Sequence, residues 1–368
     1  MRRRISFFIV TVQAVLFAAH LFLYETLKGF LWPGDSPHPG LQLAMGALSV
    51  SFVAASLLAW RYKGVVVRVL YRAAAVWLGA LHYLLMAAVG CWAAHGVALL
   101  EHMNTNRRET AIPLFGLAVV VSIFGVVNAA WTRVTRVKVK LPNLPAAWRG
   151  RTAALIGDTH LGHVRNIGFA RRVAGMIARL QPDVVFITGD LYDGTAVEVN
   201  RIAGPWGKIS SRFGTYFVLG NHEQFMNDAK YVSGLDNAGV RVLHNEKVTL
   251  DGLQVVGVPY RDGTYGPRLQ EILRNARIDR DRASILLIHA PDYLDIAEDE
   301  GISLQLSGHT HRGQFFPWTL AVRRMYGRFA YGLQRLEKMQ VYVTSGAGTW
   351  GPPMRVGTNP EVVLITLE

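Results

Sequence analysis

Cysteine is almost absent from this 368-residue chain, which contains one, Cys91. A single cysteine excludes an intrachain disulfide, and its position inside an early apolar run leaves the rest of the chain without a thiolate ligand for a metal. Acidic residues are also scarce, since 26 Asp and Glu oppose 39 Lys and Arg and give a formal net charge of +13. This balance predicts anionic partners: phosphate substrates, acidic lipid surfaces or nucleic acid.

Charge is missing from four long stretches in the first third of the chain. Each stretch has about 20 residues, the length that crosses ~30 Å of hydrocarbon. The sequence therefore predicts four membrane-spanning helices, at Ile5–Tyr24, Leu41–Trp60, Ala73–Ala94 and Ala111–Trp131. A cleaved signal peptide begins in the same way as the first stretch, and a soluble helical bundle is the other alternative. No small-residue cleavage site follows the first stretch, which favours an anchor.

Basic residues are unevenly distributed among the segments that flank these stretches. One set consists of Arg2, Arg3 and Arg4, then Arg61, Lys63, Arg68 and Arg72, then Arg133, Arg136, Lys138 and Lys140. The two alternate loops carry fewer basic residues. Because basic loops stay in the cytoplasm, we expect both termini there. The chain is then a multi-pass protein of the inner (cytoplasmic) membrane, with its C-terminal domain facing the cytoplasm.

A different pattern begins after the fourth stretch, and we place the boundary between a domain of residues 1–131 and one of residues 132–368. Apolar and basic residues alternate from Val134 to Leu141, which is typical of a half-buried strand. Short apolar runs then alternate with helical patterns, among them predicted helices at Ile167–Leu180 and Glu223–Asn237. The order predicts an α/β domain with two mixed sheets flanked by helices.

Residues of metal-ligand type follow five of the short apolar runs. The five motifs are Asp158-Thr159-His160, Gly189-Asp190-Leu191-Tyr192-Asp193, Gly220-Asn221-His222-Glu223, His289 and Gly308-His309-Thr310-His311. Any one of them alone is compatible with an ordinary turn. In α/β sheets, however, ligands gather beyond the carboxyl ends of the strands. Five such motifs in series therefore predict a metal site.

The order D-x-H, G-D-x-x-D, G-N-H-E, H and G-H-x-H resembles the calcineurin-like metallophosphoesterase superfamily, over Lys138–Glu368. The tail is similar to the membrane-associated YkuE/YaeI-like branch, which includes UDP-2,3-diacylglucosamine hydrolase-like enzymes. The tail residues that carry this likeness are Arg312-Gly313-Gln314, Gly346-Ala347-Gly348-Thr349, Pro353-Met354-Arg355 and Pro360-Glu361. The resemblance implies an αββα sandwich of two mixed sheets and a phosphoesterase activity.

The resemblance also implies which residues hold two divalent metal ions. One ion is expected at Asp158, His160, Asp190 and His311. The other is expected at Asp190, Asn221, His289 and His309, so that Asp190 bridges the two ions. Oxygen and imidazole ligands without a thiolate suit Mn, Fe, Zn or similar first-row ions, and Mn is the metal we expect first. Two ions about 3.5–4 Å apart are suited to phosphoester hydrolysis.

Three further residues are expected beside the metals. His222 is free of metal in this assignment, and we expect it to donate a proton or stabilise the phosphoryl group, with Asp193 orienting it. The alternative for Asp193 is a turn former before Gly194, a position at which protein Ser/Thr phosphatases carry Arg. Arg312 stands where the tail motif usually has Gly. It is expected either to bind a substrate phosphate as a bidentate partner or to face solvent.

The segment Phe315–Leu333 mixes aromatic residues with arginines, which is typical of an interfacial membrane surface; a core-packing loop is the alternative. We expect a membrane-anchored phosphoesterase with two partners, the bilayer and a lipid-linked phosphodiester or pyrophosphate such as UDP-2,3-diacylglucosamine. Nucleic acid is not the expected partner. The alternatives are an enzyme for soluble nucleotides or nucleic acid, and a membrane receptor or scaffold with an inactive domain. The sequence predicts no oligomeric state.

Overall fold

The computed structural model describes residues 2–33, 38–194, 198–225 and 228–368, with side chains from residue 7 onward in the first helix. The chain forms two compact units. The first consists of Met1–Val127 with Gly351–Met354, and the second of Asn128–Trp350 with Arg355–Glu368. The sequence-based boundary at residue 131 stays a prediction.

The first unit contains four long apolar helices. They are α1 (Arg2–Leu31), α2 (Pro39–Arg61), α3 (Val65–Leu100) and α4 (Arg107–Ala130). All four are long and apolar enough to cross a membrane, as predicted. Helix α3 is longer than the predicted Ala73–Ala94, because residues around Arg68 and Arg72 end the apolar run without breaking the helix. Residues 34–37, between α1 and α2, lie outside the described residues, as do the side chains of Arg2, Arg3 and Arg4.

Polar side chains within this unit pair with one another across the helices. Trp77 Nε1 donates to His20 Nε2 at 2.9 Å, and Trp92 Nε1 donates to Thr26 Oγ1 at 2.9 Å. His20 Nδ1 in turn lies 2.7 Å from the Leu16 carbonyl oxygen. Hydrogen bonds between helices satisfy groups that lipid cannot satisfy. His20 is therefore a packing residue, as its apolar setting in the sequence indicates.

The second unit contains two six-stranded mixed sheets. The first has the order β1 (Arg133–Val139), β12 (Glu361–Leu367), β2 (Thr152–Ile156), β3 (Val184–Ile187), β4 (Thr215–Phe217) and β5 (Arg241–Val242). The second has the order β10 (Gly332–Arg335), β11 (Gln340–Val343), β9 (Leu304–Ser307), β8 (Ser284–Ile288), β7 (Leu253–Val258) and β6 (Glu246–Leu250). The predicted fold class, four apolar helices followed by an α/β domain of two mixed sheets, is confirmed.

Helices flank both sheets and close the hydrophobic core. They are α5 (Ile167–Leu180), α6 (Val199–Gly207), α7 (Asn221–Gln224), α8 (Asp228–Asn237), α9 (Tyr260–Gly263), α10 (Gly266–Asn275), α11 (Leu294–Asp299) and α12 (Trp318–Tyr326), with 3-10 turns at Ala146–Trp148, His311–Gly313 and Gly327–Ala330. Between the sheets lies one apolar cluster that includes Leu155, Phe186 and Leu287, all fully buried. This core fixes the strands whose ends carry the motifs.

One predicted element is wrong. The helix expected at Glu223–Asn237 is two helices: α7 begins earlier, at Asn221, and α8 begins at Asp228. The helical pattern of the sequence did not show that Glu223 turns inward, where its carboxylate accepts backbone hydrogen bonds from neighbouring loops. Residues 226 and 227, inside the predicted helix, lie outside the described residues.

Candidate metal centre

The seven predicted metal ligands all follow strands of the two sheets. Strands β2, β3 and β4 run parallel in the first sheet, and β8 and β9 run parallel in the second. Their carboxyl ends lead into the loops that carry the motifs. Residues far apart in the sequence therefore meet at one edge of the sandwich, as expected for α/β sheets.

The structure brings the first predicted set of four together. His160 Nε2 lies 2.9 Å from His311 Nε2, and the two imidazole rings stack with centroids 4.9 Å apart. Asp158 Oδ1 is 3.7 Å from His311 Nε2. Asp190 Oδ2 is 3.8 Å from His160 Nε2. Two imidazole nitrogens and two carboxylates thus converge on one small volume.

The second predicted set converges on the other side of Asp190. His289 Nε2 lies 3.0 Å from Asn221 Oδ1 and 3.2 Å from Asp190 Oδ2. His309 Nδ1 lies 3.1 Å from Asn221 Oδ1 and 3.3 Å from His289 Nε2. Because Asp190 Oδ2 approaches a histidine of each set, its position suits a bridging carboxylate.

The backbone around these ligands is strained. Asp158, His160, Asp190, His309 and His311 all have positive φ, between 47° and 70°. A non-glycine residue held in this region costs about 1–3 kcal/mol, and such residues cluster at functional sites. The loops are also packed closely. A β-carbon at Gly220 would collide with Asp190 Oδ1, and one at Gly308 would collide with Asp158 Oδ2.

The chemistry of the donor set fits divalent cations. Burial lowers the pKa of His160 to about 4 and that of His309 to about 3, so both rings are neutral and offer lone pairs. Burial also lowers the pKa of His311. The Nδ1 of His289 donates to the Thr188 carbonyl oxygen at 2.6 Å, so Nε2 is the nitrogen that faces Asp190 and Asn221. Burial alone would lower the pKa of His289, but the charges of Asp190 and Asp158 raise it to about 10, which shows that the two buried carboxylates favour positive charge here. Three neutral imidazoles beside such a pair of carboxylates suit a divalent cation.

His222 and Asp193 form a pair beside the two ligand sets. His222 Nδ1 lies 3.2 Å from Asp193 Oδ1, and its Nε2 lies 4.0 Å from Asp190 Oδ2. Burial alone would lower the pKa of His222, but the hydrogen bond to Asp193 and the charge of Asp190 raise it to about 9. The exposed ring of Trp350 packs edge-on against His222, with centroids 6.4 Å apart. The contact with Asp193 therefore holds the imidazole in place beside the ligand sets and favours its protonated form.

Glu223, for which the sequence predicts no role of its own, is buried between the loops of the site. Its buried carboxylate accepts hydrogen bonds from the backbone N–H groups of Asp190, Tyr192 and Gly220, at 3.0, 3.0 and 2.9 Å. It thereby ties the loop after β3 to the loop after β4. The sequence did offer one indication of this role: Glu223 follows Gly220 by three residues at the start of a helix, which is the spacing of a capping box.

Two arginines of the tail take different positions. Arg355 is fully buried, and its guanidinium donates to the carbonyl oxygens of His311, Ser345 and Gly348, at 3.0, 2.6 and 2.8 Å. It joins the tail to the loop of a predicted ligand. Arg312 is exposed, and its guanidinium lies over the Tyr331 ring, 4.4 Å from the centroid. Its predicted role in substrate binding stays a prediction.

Comparison with known proteins decides the family. A family model described as calcineurin-like phosphoesterase matches residues 152–313. A metallophosphoesterase of Campylobacter jejuni is 32% identical over 261 residues, which cover 68% of this chain and 68% of that relative. The chain belongs to the calcineurin-like phosphoesterase family. The predicted family is confirmed.

Two other relatives concern the predicted YkuE-like branch of the family and the predicted membrane association. A transmembrane protein with a metallophosphoesterase domain, from Danio rerio, is 33% identical over 279 residues, 71% of this chain. This chain spans only 63% of that relative's length. YkuE of Bacillus subtilis is 28% identical over 240 residues, which cover 62% of this chain and 83% of YkuE. With its four long apolar helices, this calcineurin-like phosphoesterase is membrane-associated.

Proposed function

We propose that the two ligand sets hold two divalent ions and that the chain hydrolyses a phosphodiester or pyrophosphate bond of a membrane lipid. The observation that carries the proposal is the convergence of two Asp/His sets on Asp190, with the His222–Asp193 pair alongside. When bound, two such ions clamp a phosphate and activate water. Mn is the metal to test first, with Fe and Zn as alternatives, because the ligand atoms are oxygen and imidazole nitrogen without a thiolate.

His222 is the residue we assign to proton transfer. Asp193 holds its Nδ1, so that Nε2 is the nitrogen that faces the ligand sets. In that position Nε2–H can donate to the leaving oxygen or to a phosphoryl oxygen. The backbone N–H of His222 also donates to Asp190 Oδ1 at 2.9 Å, which fixes the distance between the proton donor and the proposed bridging ligand.

The surface of helix α12 supports a lipid as the substrate. No residue of α12 is buried, and Trp318, Leu320 and Met325 are 55%, 58% and 74% exposed. Residues 312–336 contain five arginines and no Asp or Glu. Aromatic and aliphatic side chains beside arginines suit the boundary of an anionic bilayer, where each arginine contributes about 1 kcal/mol.

The position of α12 in the chain connects this surface to the ligand sets. The helix follows the loop that carries His309 and His311. The turn that follows α12 returns to this loop, where Thr310 Oγ1 donates to the Ala330 carbonyl oxygen at 2.8 Å. A lipid that contacts α12 is therefore held beside the loop of two proposed ligands. The first compound to test is UDP-2,3-diacylglucosamine, which combines acyl chains with a pyrophosphate.

The cytoplasm is the compartment we propose for the second unit. The basic residues Arg61, Lys63, Arg133 and Arg136 flank the spans on one side, and the positive-inside rule assigns that side to the cytoplasm. Helix α4 ends at Ala130 and β1 begins at Arg133, so the second unit follows the last span directly in the chain.

The test compares a lipid substrate with a soluble one. We expect the double substitution Phe316→Ser, Trp318→Ser to raise the apparent KM for UDP-2,3-diacylglucosamine in mixed micelles roughly tenfold, the equivalent of ~1.4 kcal/mol of lost apolar contact. Hydrolysis of bis(p-nitrophenyl) phosphate should be unchanged. The matched control is Tyr265→Ser, which removes an aromatic side chain that is 61% exposed elsewhere on the domain.

Other outcomes point to the alternatives. Equal loss on both substrates would show that residues 316 and 318 are structural. A preference for soluble nucleotides or nucleic acid over every lipid-linked phosphate would refute the substrate class while leaving the enzyme. Metal binding without hydrolysis of any phosphoester would indicate a receptor or scaffold.

A further inference from the structure

A cleft of about 300 Å³ lies between α1 and α2 in the membrane unit. Phe17, Leu21 and Met45 form part of its apolar wall, and Tyr24 and Glu25 add polar groups. The Tyr24 side chain is only 6% exposed, yet its hydroxyl has no hydrogen-bond partner among the residues that the structure describes. A buried hydroxyl without a partner is costly unless a ligand satisfies it.

Two opposite charges lie at this end of α1. Glu25 borders the cleft, and Lys28 follows one turn later. Neither side chain forms an ion pair with any described residue. Residues three apart on a helix have their β-carbons about 5–6 Å from each other. A ligand that carries both a cation and an anion a short distance apart would pair with both.

The depth of these charges indicates where such a ligand comes from. The span Phe7–Leu31 has 25 residues and is ~37 Å long at 1.5 Å per residue, longer than the ~30 Å of hydrocarbon. Glu25 lies six residues before the end of the span, about 9 Å along the axis. A centred span therefore places its carboxylate ~5 Å inside the hydrocarbon edge, where unpaired charge is costly and lipid head groups are within reach.

We propose that this cleft binds the head group of a zwitterionic aminophospholipid. The primary ammonium group donates to the Glu25 carboxylate and the Tyr24 hydroxyl oxygen, and the phosphate pairs with Lys28. The first methylenes of an acyl chain pack against Phe17, Leu21 and Met45. This site lies outside the phosphoesterase centre, so it does not depend on the proposed substrate.

Native mass spectrometry of the purified full-length chain tests the site. The probes are dioleoyl phosphatidylethanolamine and dioleoyl phosphatidylcholine, which share the phosphate and the positive charge, although only the former has N–H donors. We expect wild-type protein to retain the ethanolamine lipid about tenfold better, which corresponds to ~1.4 kcal/mol. Glu25→Gln should abolish the preference, and the matched control Glu101→Gln, in the exposed turn after α3, should keep it.

Tyr24→Phe gives an independent measurement. Because the hydroxyl has no protein partner, its removal should not lower the melting temperature of the lipid-free protein, but it should weaken retention of the ethanolamine lipid. Equal retention of both lipids by wild type would overturn the proposal, as would an unchanged preference in a folded Glu25→Gln or Tyr24→Phe protein. Displacement of the lipid by soluble phosphoethanolamine would show that the free head group, and not the lipid, is the ligand.

Discussion

Glu223→Gln is the substitution whose effect follows most directly from the contacts. Oε2 of Glu223 accepts from the N–H groups of Asp190 and Gly220, and Oε1 accepts from Tyr192. Glutamine has one oxygen, so its NH₂ group must face one of these N–H groups. That change removes a charge-assisted bond of about 1.5–3 kcal/mol and leaves a buried donor without a partner.

A compensating effect reduces this cost. Burial and the nearby charge of Asp190 raise the pKa of Glu223 to about 7, so the ionised carboxylate is already disfavoured, and a neutral amide relieves part of that repulsion. We expect a net loss of about 2 kcal/mol in the free energy of unfolding, or ~4–8 °C in Tm. Because Glu223 positions the backbone of Asp190, affinity for Mn should also fall about 10–100-fold.

Calorimetry and elemental analysis of the purified chain measure both effects. The matched control is Glu246→Gln, which removes an exposed carboxylate that lies 3.3 Å from Arg241 and should change stability by less than about 0.5 kcal/mol. A Glu223→Gln protein with the Tm and Mn affinity of wild type would refute the positioning role. Loss of stability without any loss of Mn affinity would restrict Glu223 to a structural role.

Two further predictions concern the metal ligands and the topology. Asp190→Asn replaces the carboxylate shared by both ligand sets with a neutral amide, so metal content and nearly all phosphodiesterase activity should be lost. A variant with full metal content would contradict the bridging role. A C-terminal reporter that fluoresces only in the cytoplasm should give a signal, and a reporter that is active only outside the membrane should not; strong signal from the latter would reverse the proposed orientation.

The sequence predicted the structure correctly where a residue pattern is compatible with a single local structure. Long apolar runs predicted four helices, and the amphipathic pattern of Ile167–Leu180 gave the bounds of α5 as the structure has them. The motif residues also meet as expected, because parallel strands deliver their carboxyl ends to one edge. These features depend on local composition and on sheet topology, both of which a sequence displays.

The contacts made by buried charges were not visible in the sequence. Glu223 and Arg355 both lie within the motifs. Nothing in their spacing shows that one carboxylate joins two loops, or that one guanidinium donates to three carbonyl oxygens. The left-handed backbone of Asp158 and Asp190 was equally hidden, since neither is glycine. Such features arise from tertiary packing, which local patterns do not encode.

Comparison of wild-type and His222→Ala protein tests the central claim most directly, by measuring bound metal and turnover in the same samples. Wild-type chain supplied with Mn should hold two ions and hydrolyse bis(p-nitrophenyl) phosphate. His222→Ala should still hold two ions, while its turnover falls about 10²–10⁴-fold, as expected for a lost general acid. A His222→Ala protein that loses its ions would contradict the assignment of His222 outside the metal centre, and one with unchanged turnover would contradict its role in proton transfer.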